Sequence, residues 1–429
     1  MRSVSASTSD MPWFVRKRFS LVIGVLIAIV VPIILRYDRG LVYFESLQSI
    51  STFAANVAGV IFGFMLASRF QRFPGLSAGG IVATAYISAF GIIALMLLFF
   101  YVDYSRFIYF TAAIANTAWF VAVNFLRRRY SIIEFAYIPG TKNIDQLDLP
   151  EVNLTKLKSP RDFKKVIGAV VADLRAEMSP EWVQFLAECA LRDIPVFHIK
   201  HAREELTGRV QIESLSENTL GSILPSSLYL NIKWFADTIL ALLLMPLILL
   251  VMAIFLPLLY ITQGRPFLYT QQRIGRGGKP FTMIKLRSML TDDQVANLQL
   301  DEQRHSAQTK DDDPRITRLG HFIRRYRIDE LPQVINVLKG DMSWIGPRPE
   351  AAVLGSMYEE VVPFYRYRYI VRPGISGWAQ VNQGHVTDVD EIEVKLQYDF
   401  YYVKNISAWL DVLIVLRTLR TILGGFGAR

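Results

Sequence analysis

Four apolar runs crowd the first 130 residues, at about 19–35, 47–67, 78–101 and 107–125. Each approaches the ~20 residues that a helix needs to cross the hydrocarbon core of a bilayer, so four transmembrane helices are predicted. The charges between the runs set an orientation. Arg16, Lys17 and Arg18, then Arg69 and Arg72, then Arg127, Arg128 and Arg129 fall on alternate loops, whereas the loops near Asp38 and Asp103 carry fewer cations. Cations collect on the cytoplasmic side, so both ends of this group are expected there.

From Ser131 the pattern shifts to short apolar runs separated by polar residues. Residues 166–171 read as a buried strand, 181–192 as a helix and 194–199 as a second strand, together a short α/β unit. No phosphate-binding glycine fingerprint follows the first strand. His198 and His201 stand three apart without an evident third ligand, which favours surface or packed histidines over a metal site.

A further apolar run, 238–261, contains Pro246. As a fifth full span it would place everything after it outside the cell, away from cytoplasmic nucleotides. Proline inside a helix removes a backbone hydrogen bond and kinks it, and Lys233 and Arg265 flank the run with a cation at each end. These features fit a segment that enters and leaves by one face, although hydropathy alone leaves a plain kinked transmembrane helix equally open. The predicted fold class is a membrane protein, α plus α/β. It comprises a four-helix transmembrane bundle over 1–130, a small cytoplasmic α/β domain over 131–227, and a mostly helical domain over 228–429 with a proline-broken re-entrant helix at about 234–261.

Composition supports this division. A chain of 429 residues with 52% hydrophobic residues is too long for one ordinary domain and too apolar to be wholly soluble. The single cysteine, Cys189, excludes an intrachain disulfide and a cysteine zinc site, and is expected in the core. The formal charge of +9 raises nucleic acid as a partner, but the basic residues flank apolar runs and cluster in the C-terminal half. Anionic lipid and phosphate ligands fit that distribution better. Arg16, Lys17 and Arg18 precede an apolar run with no small-residue cleavage site, which reads as an anchor and not a signal peptide.

The chemistry concentrates around Asp329 and Glu330. They precede Leu331, Pro332 and an apolar-periodic run through Val334, Ile335, Val337 and Leu338 that stops at Gly340, so they are placed at a helix N-terminus. Exposed N–H groups and the dipole there favour an anion, and a carboxylate so held is expected to stay ionised, as a nucleophile or metal ligand must. Asp followed by Glu is also an ordinary N-cap. The neighbours favour a site: Arg324, Arg325 and Arg327 lie just upstream, and Arg348 sits between two prolines that fix its backbone for phosphate recognition. A diphosphate approaching a carboxylate is repelled unless arginines or a divalent cation intervene.

Two cations, Lys285 and Arg287, alternate onto one face of the strand pattern 281–289, an arrangement that suits a phosphate. The glycine-rich 273–280 lacks the Lys-Ser/Thr ending of a P-loop and reads equally as a tight turn. Asp311, Asp312 and Asp313 read as a solvated turn or a metal-holding run within a polar stretch, 291–313. The loop from Arg372 through Gly374, Gly377 and Trp378 to Gln380 is shaped to cradle a base or sugar. The apolar run 409–423, with Arg417 and Arg420, fits an interfacial or a packed helix.

From about Tyr229 onward the chain resembles the bacterial sugar transferases, the monotopic phosphoglycosyl transferases that begin exopolysaccharide and capsule synthesis. The matching text is Lys233-Trp234-Phe235-Ala236-Asp237, the Pro246 segment, Lys285-Leu286-Arg287-Ser288-Met289, Asp313-Pro314-Arg315 and Asp329-Glu330-Leu331-Pro332-Gln333. It continues through Asn336-Val337-Leu338-Lys339-Gly340-Asp341-Met342-Ser343, Gly346-Pro347-Arg348-Pro349-Glu350 and Arg372-Pro373-Gly374. The resemblance implies transfer of a sugar 1-phosphate from a UDP-sugar to polyprenyl (undecaprenyl) phosphate, with release of UMP and with Mg²⁺ as cofactor. It implies Asp329 as nucleophile on the β-phosphorus, Glu330 assisting through metal or proton handling, and Asp329 and Glu330 as metal ligands. Lys285, Arg324 and Arg348 match positions tied to substrate phosphates, and Asp399 matches a further acidic position. It also implies the bacterial inner membrane with the catalytic domain on its cytoplasmic face, and leaves open a homo-oligomer or polysaccharide assembly proteins as partners. The chain departs from the pattern at Val381-Asn382-Gln383-Gly384-His385, where a residue separates Asn from Gly, and its α/β unit is short.

Two rival readings remain at this level. A membrane glycosyltransferase would move the sugar alone and release UDP, but no Asp-x-Asp arrangement stands near a Rossmann-like half. A membrane scaffold of a polysaccharide assembly complex would not need Asp329, Glu330, Lys285 and Arg348 together.

Overall fold

The first apolar runs are helices: α1 (Lys17–Ile34), α2 (Leu47–Phe70), α3 (Ala78–Phe99) and α4 (Arg106–Arg129). The computed structural model describes residues 12–34, 47–70, 78–129, 133–141, 144–147, 149, 152–163, 166, 168–210, 225–290, 315–383 and 389–424. These fall into two units, Met1–Gly208 and Arg209–Arg429. In the first unit small residues let the apolar helices approach one another. Gly24 lies against the Phe120 ring, Gly59 against Phe90 and Gly63 against Tyr86, where a Cβ would come within 2.6 Å of each ring. Buried polar groups bridge the same helices: the Trp119 indole N–H donates to the Ser20 carbonyl at 3.2 Å and the Tyr109 hydroxyl to the Phe90 carbonyl at 2.6 Å.

The α/β unit is larger than the alternation revealed. Its sheet is parallel with strand order β2-β1-β3-β4, formed by β1 (Ile133–Tyr137), β2 (Val152–Lys156), β3 (Ala169–Ala172) and β4 (Val196–His198). The two expected strands are β3 and β4, and the expected helix is α5 (Pro180–Leu191), which buries Cys189 and Phe185 on the sheet. His198 caps α6 (Ile199–Thr207), accepting from the Lys200 N–H at 3.1 Å, and its other ring nitrogen lies 3.4 Å from Asp173.

The second unit is built on a long apolar helix, α7 (Ser227–Gln263), which continues through both Pro246 and Pro257. Helical structure continues past Pro246, so the proline lies inside the helix and does not end it. Neighbouring packing sustains an apolar helix past a proline: Ala241, Leu244, Met245 and Ile248 bracket it and pack on Phe281, Met283, Val334 and Val337. With α1 to α4, this makes five described helices long and apolar enough to cross a membrane, as a membrane protein requires.

A hairpin of β5 (Leu268–Ile274) and β6 (Pro280–Leu286) follows. Its turn holds Gly277 and Gly278 at φ 70° and 78°, so the glycine-rich stretch is a tight turn. Next come α8 (Arg318–Arg325), a 3-10 turn over Ile328–Gln333, and α9 (Val334–Lys339), ended by Gly340 at φ 81°. Strand β7 (Ser343–Ile345), α10 (Ala352–Val361), β8 (Gly374–Ser376), α11 (Trp378–Asn382), α12 (Val389–Lys404) and α13 (Ala408–Gly424) complete the unit. Helix α13 buries Leu410, Leu413 and Ile414 and exposes Trp409, Val412, Val415 and Leu419, so it is a packed helix with a second apolar face. The residues 291–313 with the triple aspartate, and Gly384 and His385, lie outside the described residues.

Candidate active site

Asp329 and Glu330 sit buried on the 3-10 turn that leads into α9. Thr317 caps α8, accepting from the Gly320 N–H at 2.9 Å, and after Tyr326 the backbone reverses at Arg327, a non-glycine residue at φ 55°. That reversal sends Ile328 into a cluster with Leu259, Leu286 and Ile323 and turns the next two carboxylates the other way. Asn336 then locks α9 to β6. Its amide donates to the Thr282 carbonyl at 2.8 Å and accepts from the Ile284 N–H at 3.2 Å, which fixes the strand bearing Lys285 beside the turn bearing Glu330.

Three cations converge on Glu330. Arg348 donates to Oε1 at 2.8 Å, Lys285 to the same oxygen at 3.4 Å, and Arg327 to Oε2 at 3.5 Å. Burial opposes ionisation of Glu330, but Arg348, Lys285 and Arg327 outweigh it and hold the carboxyl far below its usual range. Burial lowers the Lys285 ammonium to about 8, with Glu330 resisting the shift. Arg348 is held more firmly protonated, chiefly by Glu330. The Asp329 carboxyl is shifted upward, opposite to the lowering expected of a helix-start carboxylate. Burial, then the neighbouring Glu330 charge, raises its pKa, while Lys285, Arg324 and Arg348 pull the other way. Among the described residues no ion pair engages Asp329.

Arg348 is positioned through its backbone. The motifs around Gly346 and Gly374 meet in the parallel pair β7–β8, where Gly374 N–H donates to the Pro347 carbonyl and Gly346 N–H to the Ser376 carbonyl, each at 2.9 Å. A Cβ on Gly374 would lie 2.0 Å from the Gly346 nitrogen, so this approach requires glycine. The Arg348 carbonyl accepts from Arg368 at 2.7 Å. Arg368 is itself buried between Asp399 at 2.9 Å, Glu350 at 3.6 Å and the Tyr365 hydroxyl. Burial raises the Asp399 carboxyl against the pull of Arg368. Glu350 stays ionised, near 2, because Lys395 and Arg368 together exceed the penalty of its burial.

The structure thus brings Lys285, Arg348, Asp329 and Glu330 together, with Arg324 acting on Asp329 electrostatically. Arg287 is engaged elsewhere, donating to the Gln263, Gly264 and Arg265 carbonyls at the end of α7. A helix end leaves carbonyls unsatisfied, and the arginine fills them, which strand alternation could not show. Arg372 donates to the Gly340 carbonyl at 2.9 Å, bracing the end of α9, and Gln380 donates to the Ile375 carbonyl at 3.1 Å within its own loop. Asp399 acts on Arg368, one residue removed from the carboxylate pair. Sequence reasoning missed Asn336, Arg368 and Arg273, whose guanidinium donates to the Pro349 carbonyl at 3.0 Å and adds positive potential at Arg348 and Lys285.

The same text, Lys233 to Asp237, proves to be a clasp. Lys233 pairs with Asp411 at 2.8 Å, Tyr229 and Tyr402 donate to Asp411 at 2.9 and 2.7 Å, and Ser343 donates to Asp237 at 2.6 Å. It ties the start of α7 to β7 and α13.

Residues 228–425 match the family model described as bacterial sugar transferase. Over nearly its whole length the chain is 41% identical to the UDP-N-acetylgalactosamine-undecaprenyl-phosphate N-acetylgalactosaminephosphotransferase of Aeromonas hydrophila, covering 97% of this chain and 98% of that protein. The chain belongs to the bacterial sugar transferase family. It is an enzyme of the phosphoglycosyl transferase class. The UDP-glucose:undecaprenyl-phosphate glucose-1-phosphate transferase of Escherichia coli K12 is 34% identical over 53% of this chain and 47% of its own length. The transferase of the same description from Xanthomonas campestris pv. campestris is 43% identical over 37% and 32%.

Proposed function

We propose that this enzyme transfers a sugar 1-phosphate from a UDP-sugar to polyprenyl phosphate, releasing UMP, as the first membrane step of exopolysaccharide or capsule synthesis. The observation that carries the reading is a charge imbalance in a buried site. Lys285, Arg327, Arg348, Arg273 and Arg324 outnumber Asp329, Glu330 and Glu350, and Glu330 alone absorbs three of them. A surplus of partly buried cations around a carboxylate that no ion pair engages among the described residues suits a diphosphate that must approach a nucleophile.

In this mechanism an Asp329 oxygen attacks the β-phosphorus of the donor. The bond from that phosphorus to the bridging oxygen breaks, and UMP leaves with the bridging oxygen. The phosphosugar-aspartyl intermediate is then attacked at phosphorus by an oxygen of polyprenyl phosphate, which frees the Asp329 carboxylate and yields polyprenyl diphosphate-sugar. Lys285 and Arg348 hold the phosphoryl oxygens, and Glu330 keeps these two cations and Arg327 in register. Burial makes Asp329 a poorly solvated carboxylate, which strengthens it as a nucleophile.

Bound Mg²⁺ would rely on Asp329 and the substrate phosphates together, since among the described residues no group of three or more His, Cys, Asp or Glu gathers to hold it. Mg²⁺ is commonly held by one or two carboxylates together with substrate phosphates. Among the described residues no ion pair engages Asp329, whereas both Glu330 oxygens are engaged by cations, so Asp329 is the protein ligand this arrangement favours. When bound, the ion would neutralise charge on the diphosphate.

The helices α1 to α4 form the four-span bundle in the inner membrane, and α7 enters and leaves by the cytoplasmic face. Lys233 and Asp237 near its start, Ala241 and Ile248 in its middle, and Leu259 and Gln263 near its end all pack on the same unit. From Asp237 to Gln263 a helix extends ~40 Å at 1.5 Å per residue, more than the ~30 Å hydrocarbon core. A straight crossing would need that one unit on both sides of the bilayer.

The test incubates the full chain in nanodiscs with Mg²⁺, undecaprenyl phosphate and a panel of UDP-sugars. UDP-N-acetylgalactosamine comes first, because the relative from Aeromonas hydrophila spans the whole chain. Release of UMP is expected. Release of UDP would mean glycosyl transfer, and no nucleotide from any donor would leave the scaffold reading.

A further inference from the structure

We propose that Phe255, Phe322 and Tyr326 form an aromatic ledge that receives the isoprenoid chain of the acceptor and aligns its phosphate with Asp329. The inference rests on the reaction proposed above and assigns the apolar half of its lipid substrate. Phe322 of α8 and Tyr326, the residue that caps its end, are four apart, with ring centroids 4.9 Å apart. Phe255 of α7 stacks on Phe322 at 6.3 Å with an interplanar angle of 18°. Large aromatics at a finished core would be covered, yet Phe322 is 48% and Tyr326 44% exposed. The buried side of the helix is already complete, with Ile323 fully enclosed among Leu259, Leu286 and Ile328.

Both ends of the ledge have a chemical continuation. On one side it joins the exposed apolar face of α7 at Ile254, Leu258 and Ile261, the surface a bilayer would cover. On the other, Tyr326 ends α8 and is followed at once by Arg327, which pairs with Glu330, while Arg324 on the same helix acts on Asp329. Apolar surface therefore gives way to a cluster of guanidinium groups within a few residues of the carboxylates. An amphiphile with a long apolar chain and an anionic head matches that sequence of surfaces. Flat rings suit the planar, methyl-branched units of an isoprenoid, and the chain would lie along the rings with its phosphate at Arg324 and Arg327.

The test separates this acceptor from ordinary bilayer lipid. The full chain in phosphatidylglycerol-containing nanodiscs is labelled with a diazirine-bearing polyprenyl phosphate, and the labelled peptide is mapped. Label on Phe322 to Tyr326 or at Phe255 is expected, displaced by excess undecaprenyl phosphate and not by equal added phospholipid. Phe322→Ala should lower labelling about tenfold, whereas Phe322→Leu, which keeps an apolar side chain, shows that the fold is intact by its unchanged melting temperature. Label confined to other elements, or displaced equally by phospholipid, would overturn the proposal and make the ledge a bilayer anchor. Kinetics add a second readout. Phe322→Ala should raise the KM for undecaprenyl phosphate about tenfold with the UDP-sugar KM unchanged. An equal change in the KM of both substrates would also overturn it. If the wild-type protein releases no UMP, the proposed reaction fails, while the labelling map still decides the ledge.

Discussion

The clasp around Asp411 and the cluster around Glu330 are both buried polar groups in the same unit, but only one of them is closed. In the clasp, Asp411 receives Lys233, Tyr229 and Tyr402, and Asp237 receives Ser343, so the carboxylates are met by donors from helix and core. In the cluster, Glu330 is met three times over, whereas Asp329 beside it is met by no ion pair among the described residues and cations remain in surplus. A polar network satisfied by its own protein holds elements together. One left unbalanced is arranged for a group that arrives from outside.

The largest expected effect falls on the open cluster. Asp329→Asn should lower UMP formation by about three orders of magnitude, the scale on which a nucleophile is lost. It should not lower the melting temperature. The folded state raises the Asp329 pKa above its unfolded value, so its ionised form opposes folding at neutral pH and an amide removes that opposition. A parallel fall in melting temperature would put Asp329 among the structural groups.

Arg348→Ala should act on both properties. Activity should drop about a hundredfold, and stability should fall by about 3 kcal/mol because a buried carboxylate loses its nearest cation. Adding Glu330→Gln should restore part of the stability and none of the activity, measured by thermal unfolding and UMP release on the same samples.

The clasp should show the opposite profile. Asp411→Asn takes from Lys233 its nearer carboxylate, leaving Asp237 at 3.9 Å, and weakens two tyrosine hydrogen bonds, for a loss of about 2 kcal/mol. UMP release per folded molecule should stay within a few-fold. A hundredfold loss without unfolding would show that the two regions are one functional network.

Lys285→Arg gives the smallest effect at pH 7 and the most informative one above it. Lys285 titrates near 8, so wild-type activity should fall as pH rises through that value and the ammonium loses its proton. Arginine keeps its charge, and its alkaline limb should move up by more than one pH unit. An unchanged limb would assign the titration to another group.

Much of this was legible in the sequence because it depended on local order. Four apolar runs are helices, Gly340 ends α9, Cys189 is buried, and the acid pair sits where Leu331 and Pro332 begin the helical periodicity. Strands β1 and β2 escaped notice because polar residues interrupt their apolar runs, Glu134 in β1 and Asn153, Thr155 and Lys156 in β2. Arg287 was misplaced for a related reason: alternation fixes which face a strand residue occupies and says nothing about which helix end that face meets.

By itself the sequence determined which residue types are available, the apolar lengths, and the motif set that identifies the family, all of which are written over a few neighbouring positions. Tertiary structure alone decided that Asp329 and Glu330, adjacent in the chain, are shifted in opposite directions, the first up and the second down. Their difference comes from Arg348, Lys285 and Arg327, delivered by a glycine-dependent strand pair, a hairpin and a left-handed turn. Charge interactions fall with distance in space, and only the fold sets those distances.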